Sequence, residues 1–103
     1  MEVYFSTDEL QELYETPLKE IRGKRNYSRE VIKQYKIKVQ LLRSLRKLED
    51  LRKFRGLNFE YLKGDRKGQS SIRLNDQFRL IIIPLREDSI QVVVAHEISK
   101  HYE

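Results

Sequence analysis

The hydrophobic period of this chain changes once, and that change predicts its fold class. Between Ser28 and Leu48 the apolar side chains recur at helical spacing. Val31, Ile32, Tyr35, Val39, Leu42 and Leu45 fall on one side of a helical wheel, with Lys33, Lys36, Arg43 and Lys47 on the other. Ser28 precedes the first apolar pair as an N-cap, Leu48 to Leu51 either continue the helix or form a separate short turn, and no Gly or Pro interrupts the segment until Gly56, which is expected to stop it. From Gln69 the period becomes two. Ile72 and Leu74 alternate with Ser71 and Arg73, and after Asn75-Asp76-Gln77 the alternation resumes as Phe78, Leu80 and Ile82 against Arg79, Ile81 and Ile83. A three-residue loop at Asn75–Gln77 sets Leu74 opposite Phe78 and Ile72 opposite Leu80, the register that keeps both apolar rows on one face. Pro84 points to a strand end or an edge. Arg86-Glu87-Asp88-Ser89 reads as the next turn, and Ile90 to His96 as a further strand.

The N-terminus adds a β-prone run, Val3-Tyr4-Phe5, with Ser6 and Thr7 as candidate N-caps of a short helix. Ser6 with Glu9 three residues later fits a capping box. Residues 16–27, with Pro17 and Gly23, read as a connection. Strand and helices early and antiparallel strands late predict an α+β class. An N-terminal strand and two to three helices should pack on one face of a curved, mainly antiparallel sheet. At 103 residues there is room for one small domain, 1–103, with one modest core.

Charge restricts the partners. The 21 Lys and Arg residues all lie from Lys19 onward, so residues 1–18 carry −5 and the remainder, with 21 bases against 11 acids, carries +10. Ser28 to Leu48 alone has seven bases and one acid. A basic body of this density attracts polyanions, RNA and the ribosome among them, though the same charges also suit a solvated helix surface. The chain has no cysteine, which excludes disulfides and thiolate metal sites. No apolar run approaches the roughly 18 residues a membrane span needs. A soluble, cytoplasmic protein is the expectation.

Arg73 and Arg79 come out directly opposed on the sheet face turned away from the helix. Like charges so placed destabilise a sheet, so something negative should offset them: Asp76 or Asp65 within the chain, or an RNA phosphate clamped between two guanidinium groups. Beside the hairpin runs the basic loop Lys63-Gly64-Asp65-Arg66-Lys67-Gly68, which lacks the spacing of a nucleotide-binding P-loop. Neither H-E-x-x-H nor G-x-S-x-G occurs. His96 and His101, five apart, suit neither a helical zinc pair nor one face of a strand, so no metal or other cofactor is expected.

The run from Leu62 to Leu80, LKGDRKGQSSIRLNDQFRL, together with a closing His101-Tyr102, resembles the HigB-type toxins of the RelE/ParE superfamily. The close match covers about a fifth of the chain. The resemblance implies a type II toxin–antitoxin module. Its toxin would be a ribosome-dependent mRNA endonuclease that needs no metal and directs the message's own 2′-hydroxyl onto the adjacent phosphate. It would be a monomer held in a hetero-oligomeric complex by a HigA-type antitoxin carrying a helix-turn-helix domain. By the same likeness Arg79 clamps the transition state, Arg73 positions the phosphate, and Lys63 activates the 2′-hydroxyl. His101 or Tyr102 supplies the acid–base group, an imidazole titrating closest to neutral pH, with His96 a rival. Where Glu60 stands, some relatives carry a histidine. Lys33, Lys36, Arg43, Lys47, Arg66 and Lys67 are the candidate ribosome and RNA contacts. The alternative is a ParE-like DNA gyrase inhibitor, which shares the scaffold but has no use for clustered acid–base groups.

Overall fold

The computed structural model describes residues 1–21, 27–87 and 90–100. A short strand, β1 (Glu2–Phe5), leads into helix α1 (Asp8–Glu15), and helix α2 (Arg29–Ser44) follows. Two 3-10 segments, Leu48–Lys53 and Arg55–Leu57, then bring the chain to β2 (Glu60–Tyr61). A further 3-10 turn at Gly64–Arg66 precedes β3 (Ser70–Arg73), β4 (Phe78–Glu87) and β5 (Ile90–Lys100). The five strands form one sheet in the order β1-β5-β4-β3-β2, antiparallel except for the parallel β1–β5 pair. Among the described residues no helix is long and apolar enough to cross a membrane.

Helices α1 and α2 cover one face of the sheet. Val31, Ile32, Tyr35, Val39 and Leu42 of α2 are buried against Ile72, Leu80, Ile82, Val93, Ala95 and Ile98 in a single apolar cluster. This is the predicted stripe meeting the predicted sheet face. The β3–β4 register is the expected one, with Ile72 opposite Leu80 and Arg73 opposite Arg79. Asn75 fixes the turn by accepting from the backbone N–H groups of Gln77 and Phe78, both at 2.8 Å. Pro84 sits within β4 but beyond the last β3 pair, Ser70–Ile82, so it pairs with β5 alone at a local edge. There its missing N–H leaves no rung broken.

Several local expectations are corrected. Helix α2 is capped by Ser28, whose Oγ accepts from Val31 N at 3.2 Å, but it ends at Ser44, because Leu45 already has extended dihedrals. Of the two readings of Leu48 to Leu51 the separate turn is the one formed, within a 3-10 segment, and Gly56 lies inside the next one rather than stopping the helix. The cap of α1 is Thr7, which accepts from Leu10 N at 3.2 Å; the Ser6–Glu9 box does not form. Ser6 is held elsewhere, its backbone N donating to Ala95 O and its Oγ lying 2.8 Å from Nδ1 of His96. Strand β5 runs four residues past His96, with a bulge at the Ile81/Ile82 step of β4. The two-residue β2 was not anticipated. Gly23, and Asp88 and Ser89 of the expected turn, lie outside the described residues.

Candidate active site

Alternation along β3, β4 and β5 puts Ser71, Arg79, Ile81, Glu97 and Ser99 on the face away from the helices. A cleft of about 240 Å³ opens there, lined by Glu60, Leu62, Arg66, Ser71, Arg79, Ile81, Ser99 and Lys100. Arg79 is held firmly within this lining. Only 12% of its side chain is exposed, and two of its nitrogens are held: Nε donates to Ser71 Oγ at 2.9 Å and one terminal nitrogen to Asn58 O at 2.7 Å. The second bond depends on Asn58 taking a left-handed backbone conformation, φ 46° and ψ 49°, which turns its carbonyl toward the guanidinium. Asparagine is among the few residues that adopt that region readily. The anion facing Arg79 is Glu60, at 3.5 Å and with 57% of its side chain exposed. That separation exceeds a hydrogen bond, and the carboxylate is largely solvated, so the contact is weak.

Arg73 does not join Arg79 in a shared clamp. Its guanidinium bonds Asp76 in the hairpin loop, the internal partner named above, and it is not among the residues lining the cleft. It also lies close enough to Lys38 to act on it. Burial first, and then Arg73, push the Lys38 ammonium below the usual lysine pKa, while Glu30 pulls it back up. Lys63 is exposed, one residue beyond the cleft-lining Leu62, and its carbonyl accepts from Arg66 N at 3.2 Å to close the 3-10 turn. Gly64 and Gly68 bracket that turn with positive φ of 64° and 93°, conformations that cost glycine nothing. Arg66 lines the cleft but is engaged with Glu97 at 3.0 Å and Gln69 at 2.9 Å. Lys67 is exposed. His96 sits on β5 outside the cleft lining, against Ser6. His101 and Tyr102 lie outside the described residues.

The candidate ribosome contacts on α2 and in the turn after it divide into two groups. Lys33 and Lys47 are exposed. Lys36 instead folds onto α1, donating to the carbonyls of Tyr14, at 2.8 Å, and Thr16, and desolvation lowers its pKa. It thereby satisfies carbonyls at the α1 C-terminus, where a cation also suits the helix dipole. Arg43 likewise turns to Tyr14, donating to its hydroxyl at 3.1 Å with its guanidinium carbon 5.8 Å from the ring centroid.

The profile of the HigB-like toxins, described as the RelE-like toxins of the type II toxin–antitoxin system HigB, matches residues 4–94. The chain belongs to this toxin family. Among solved structures the toxin resembles a YoeB/ParE toxin from Agrobacterium tumefaciens, with a TM-score of 0.55 and 15% identity over 99% of this chain and 100% of that one. It also resembles a chain of the YoeB-YefM complex from Staphylococcus aureus, with a TM-score of 0.53 and 20% identity over 99% and 98%. At such identities the likeness is one of fold. No curated protein matches the toxin in sequence.

Sequence reasoning missed the Ser71 hydroxyl and the Ser99–Lys100 end of β5 in the toxin's cleft, and the Asn58 carbonyl that holds Arg79. Ser71 was recoverable, because the hairpin register places it two residues from Arg73 on the same face. Asn58 was not, since it depends on a segment with no regular period, and Lys100 lies on the part of β5 beyond the expected strand end at His96.

Proposed function

We propose that this toxin is a ribosome-dependent mRNA endonuclease that works by 2′-hydroxyl attack on the adjacent phosphate, in the cytoplasm and without a cofactor. The observation that carries the reading is Arg79: a guanidinium fixed in advance by Ser71 and Asn58, inside a cleft that also holds Lys100, and faced among the described residues by the loosely held Glu60. A phosphate entering the cleft displaces an exposed carboxylate at small cost and gains a cation that needs no reorganisation.

In the reaction the 2′-oxygen bonds to phosphorus, its proton passes to a base, and the P–O5′ bond breaks as the leaving oxygen is protonated. The products are a 2′,3′-cyclic phosphate and a free 5′-hydroxyl. Arg79 opposes the charge that accumulates on the non-bridging oxygens. Lys63, beside the cleft, is the candidate for activating the 2′-hydroxyl, and His101 or Tyr102 for protonating the leaving oxygen. Arg73, freed from Asp76, would steer the incoming phosphate. The antitoxin expected to neutralise the toxin is a HigA-type protein with a helix-turn-helix domain, bound to one toxin monomer within a larger complex.

Purified toxin added to translating ribosomes tests this reading. New message ends carrying 2′,3′-cyclic phosphates are expected, and a single 2′-deoxy nucleotide at the cut position should abolish that cut. Intact messages together with trapped gyrase complexes would overturn the reading in favour of a ParE-like inhibitor.

A further inference from the structure

One side chain ties the loop that carries Lys63 across the sheet. Arg66 belongs to the 3-10 turn after β2, yet its guanidinium meets β5, three strands further along the sheet. One terminal nitrogen lies 3.0 and 3.2 Å from the two carboxylate oxygens of Glu97, and the other donates to Gln69 Oε1 at 2.9 Å. Glu97 pairs with Ile81, which pairs in turn with Ser71, so the tie crosses the face that holds Arg79.

The loop has little else to hold it. Its backbone bonds close it on itself, Arg66 N to Lys63 O, Lys67 N to Gly64 O and Gln69 N to Arg66 O. Gly64 and Gly68, both at positive φ, give it more freedom to lose than other residues would. Among the described residues the Arg66–Glu97 contact is the only side-chain tie from residues 63–68 to a distant element. Overall stability is not what it supplies, because the two side chains are 41% and 38% exposed and pairs so solvated add little to folding. Nor is Arg66 free for a phosphate while Glu97 neutralises it. What the tie fixes is the place of Lys63, next to the cleft-lining Leu62 and at the start of the turn that Arg66 closes.

We propose that Arg66 and Glu97 brace this loop against β5 and so hold the Lys63 side chain at the cleft. Both are positioning residues that act through Lys63. The proposal rests on the preceding reading, in which Lys63 activates the 2′-hydroxyl, and it adds what keeps that group in place.

The test is a double-mutant cycle in cleavage of ribosome-bound message by the full chain. Glu97→Ala should lower kcat by about 10- to 100-fold, the scale of a small misplacement of a reacting group, with KM and the urea midpoint little changed. In a Lys63→Ala toxin the same substitution should remove no further rate, because nothing is left to position. Additive losses, or an unchanged kcat in Glu97→Ala, would overturn the brace while the nuclease stands. A lower KM without loss of rate would also overturn it, since Arg66 would then be a phosphate ligand that Glu97 restrains. Amide exchange at Lys67 and Gln69 reads the loop without cleavage and should quicken in Glu97→Ala. If the unaltered toxin cuts nothing, the preceding reading fails by itself; quickened exchange would still support the brace, and unchanged exchange would overturn it too.

Discussion

At the scale of single residues, the hairpin shows what alternation alone can reveal and where it stops. That Arg73 and Arg79 oppose each other follows from the length of the Asn75–Gln77 loop and the parity of the flanking apolar rows, both readable in the sequence. The anions offset against them are a different matter. Asp76 is three residues from Arg73 and was a natural candidate, whereas Glu60 reaches Arg79 only because an unforeseen two-residue strand pairs it with Ser71. Two residue-scale consequences can be measured. Ser70 is fully buried, and its Oγ has no hydrogen-bond partner among the described residues. A buried hydroxyl left unsatisfied is a liability. Ser70→Ala should therefore leave stability unchanged or raise it by up to about 1 kcal/mol in urea unfolding. At Lys38, burial is the larger cause of its lowered pKa and Arg73 the second. Removing a neighbouring positive charge makes protonation easier, so Arg73→Gln should move the Lys38 titration upward part of the way to that of an exposed lysine. The side-chain carbon and proton shifts of Lys38 followed against pH would show it.

Among the elements, those with a long period were legible and those without one were not. Both the α2 stripe and the late strands rest on many residues repeating one rule, so a single exception does not hide them. The end of α2 has no such support. Leu45 satisfies the wheel as well as Leu42 does, yet the backbone turns extended at Leu45, where no Gly or Pro announces it. Of the two candidate caps of α1 Thr7 serves, and the Ser6–Glu9 box fails for a tertiary reason: Ser6 has the right side chain, but β5 takes its N–H and His96 sits against its hydroxyl. That division predicts unequal effects. Thr7→Ala should cost about 1 kcal/mol of stability, the usual loss of a helix cap, and should fray α1 in amide exchange. Ser6→Ala should leave α1 protected, because its hydroxyl bonds outside the helix.

Across the whole molecule, charge and packing are separated. The helix-covered face holds the apolar cluster, while the opposite face carries the Arg79 cleft. The overall basic balance was legible from composition, but composition could not tell which bases are occupied. Lys36 and Arg43 hold α1 through Tyr14, while Lys33 and Lys47 remain on the surface. Ribosome association should therefore weaken when Lys33 and Lys47 are replaced by Gln. The slope of log affinity against log salt should flatten by about 0.7 to 0.9 for each phosphate that is no longer neutralised. Replacing Lys36 should instead lower the unfolding midpoint.

The account turns on Arg79 as the cation that stabilises the reacting phosphorus. Single-turnover cleavage of a ribosome-bound message by Arg79→Ala, with its fold verified by circular dichroism, tests this most directly. The rate should fall by about 10²- to 10³-fold, the usual consequence of removing one preorganised transition-state donor. An Arg79→Ala toxin that cuts as fast as the unaltered chain would contradict it.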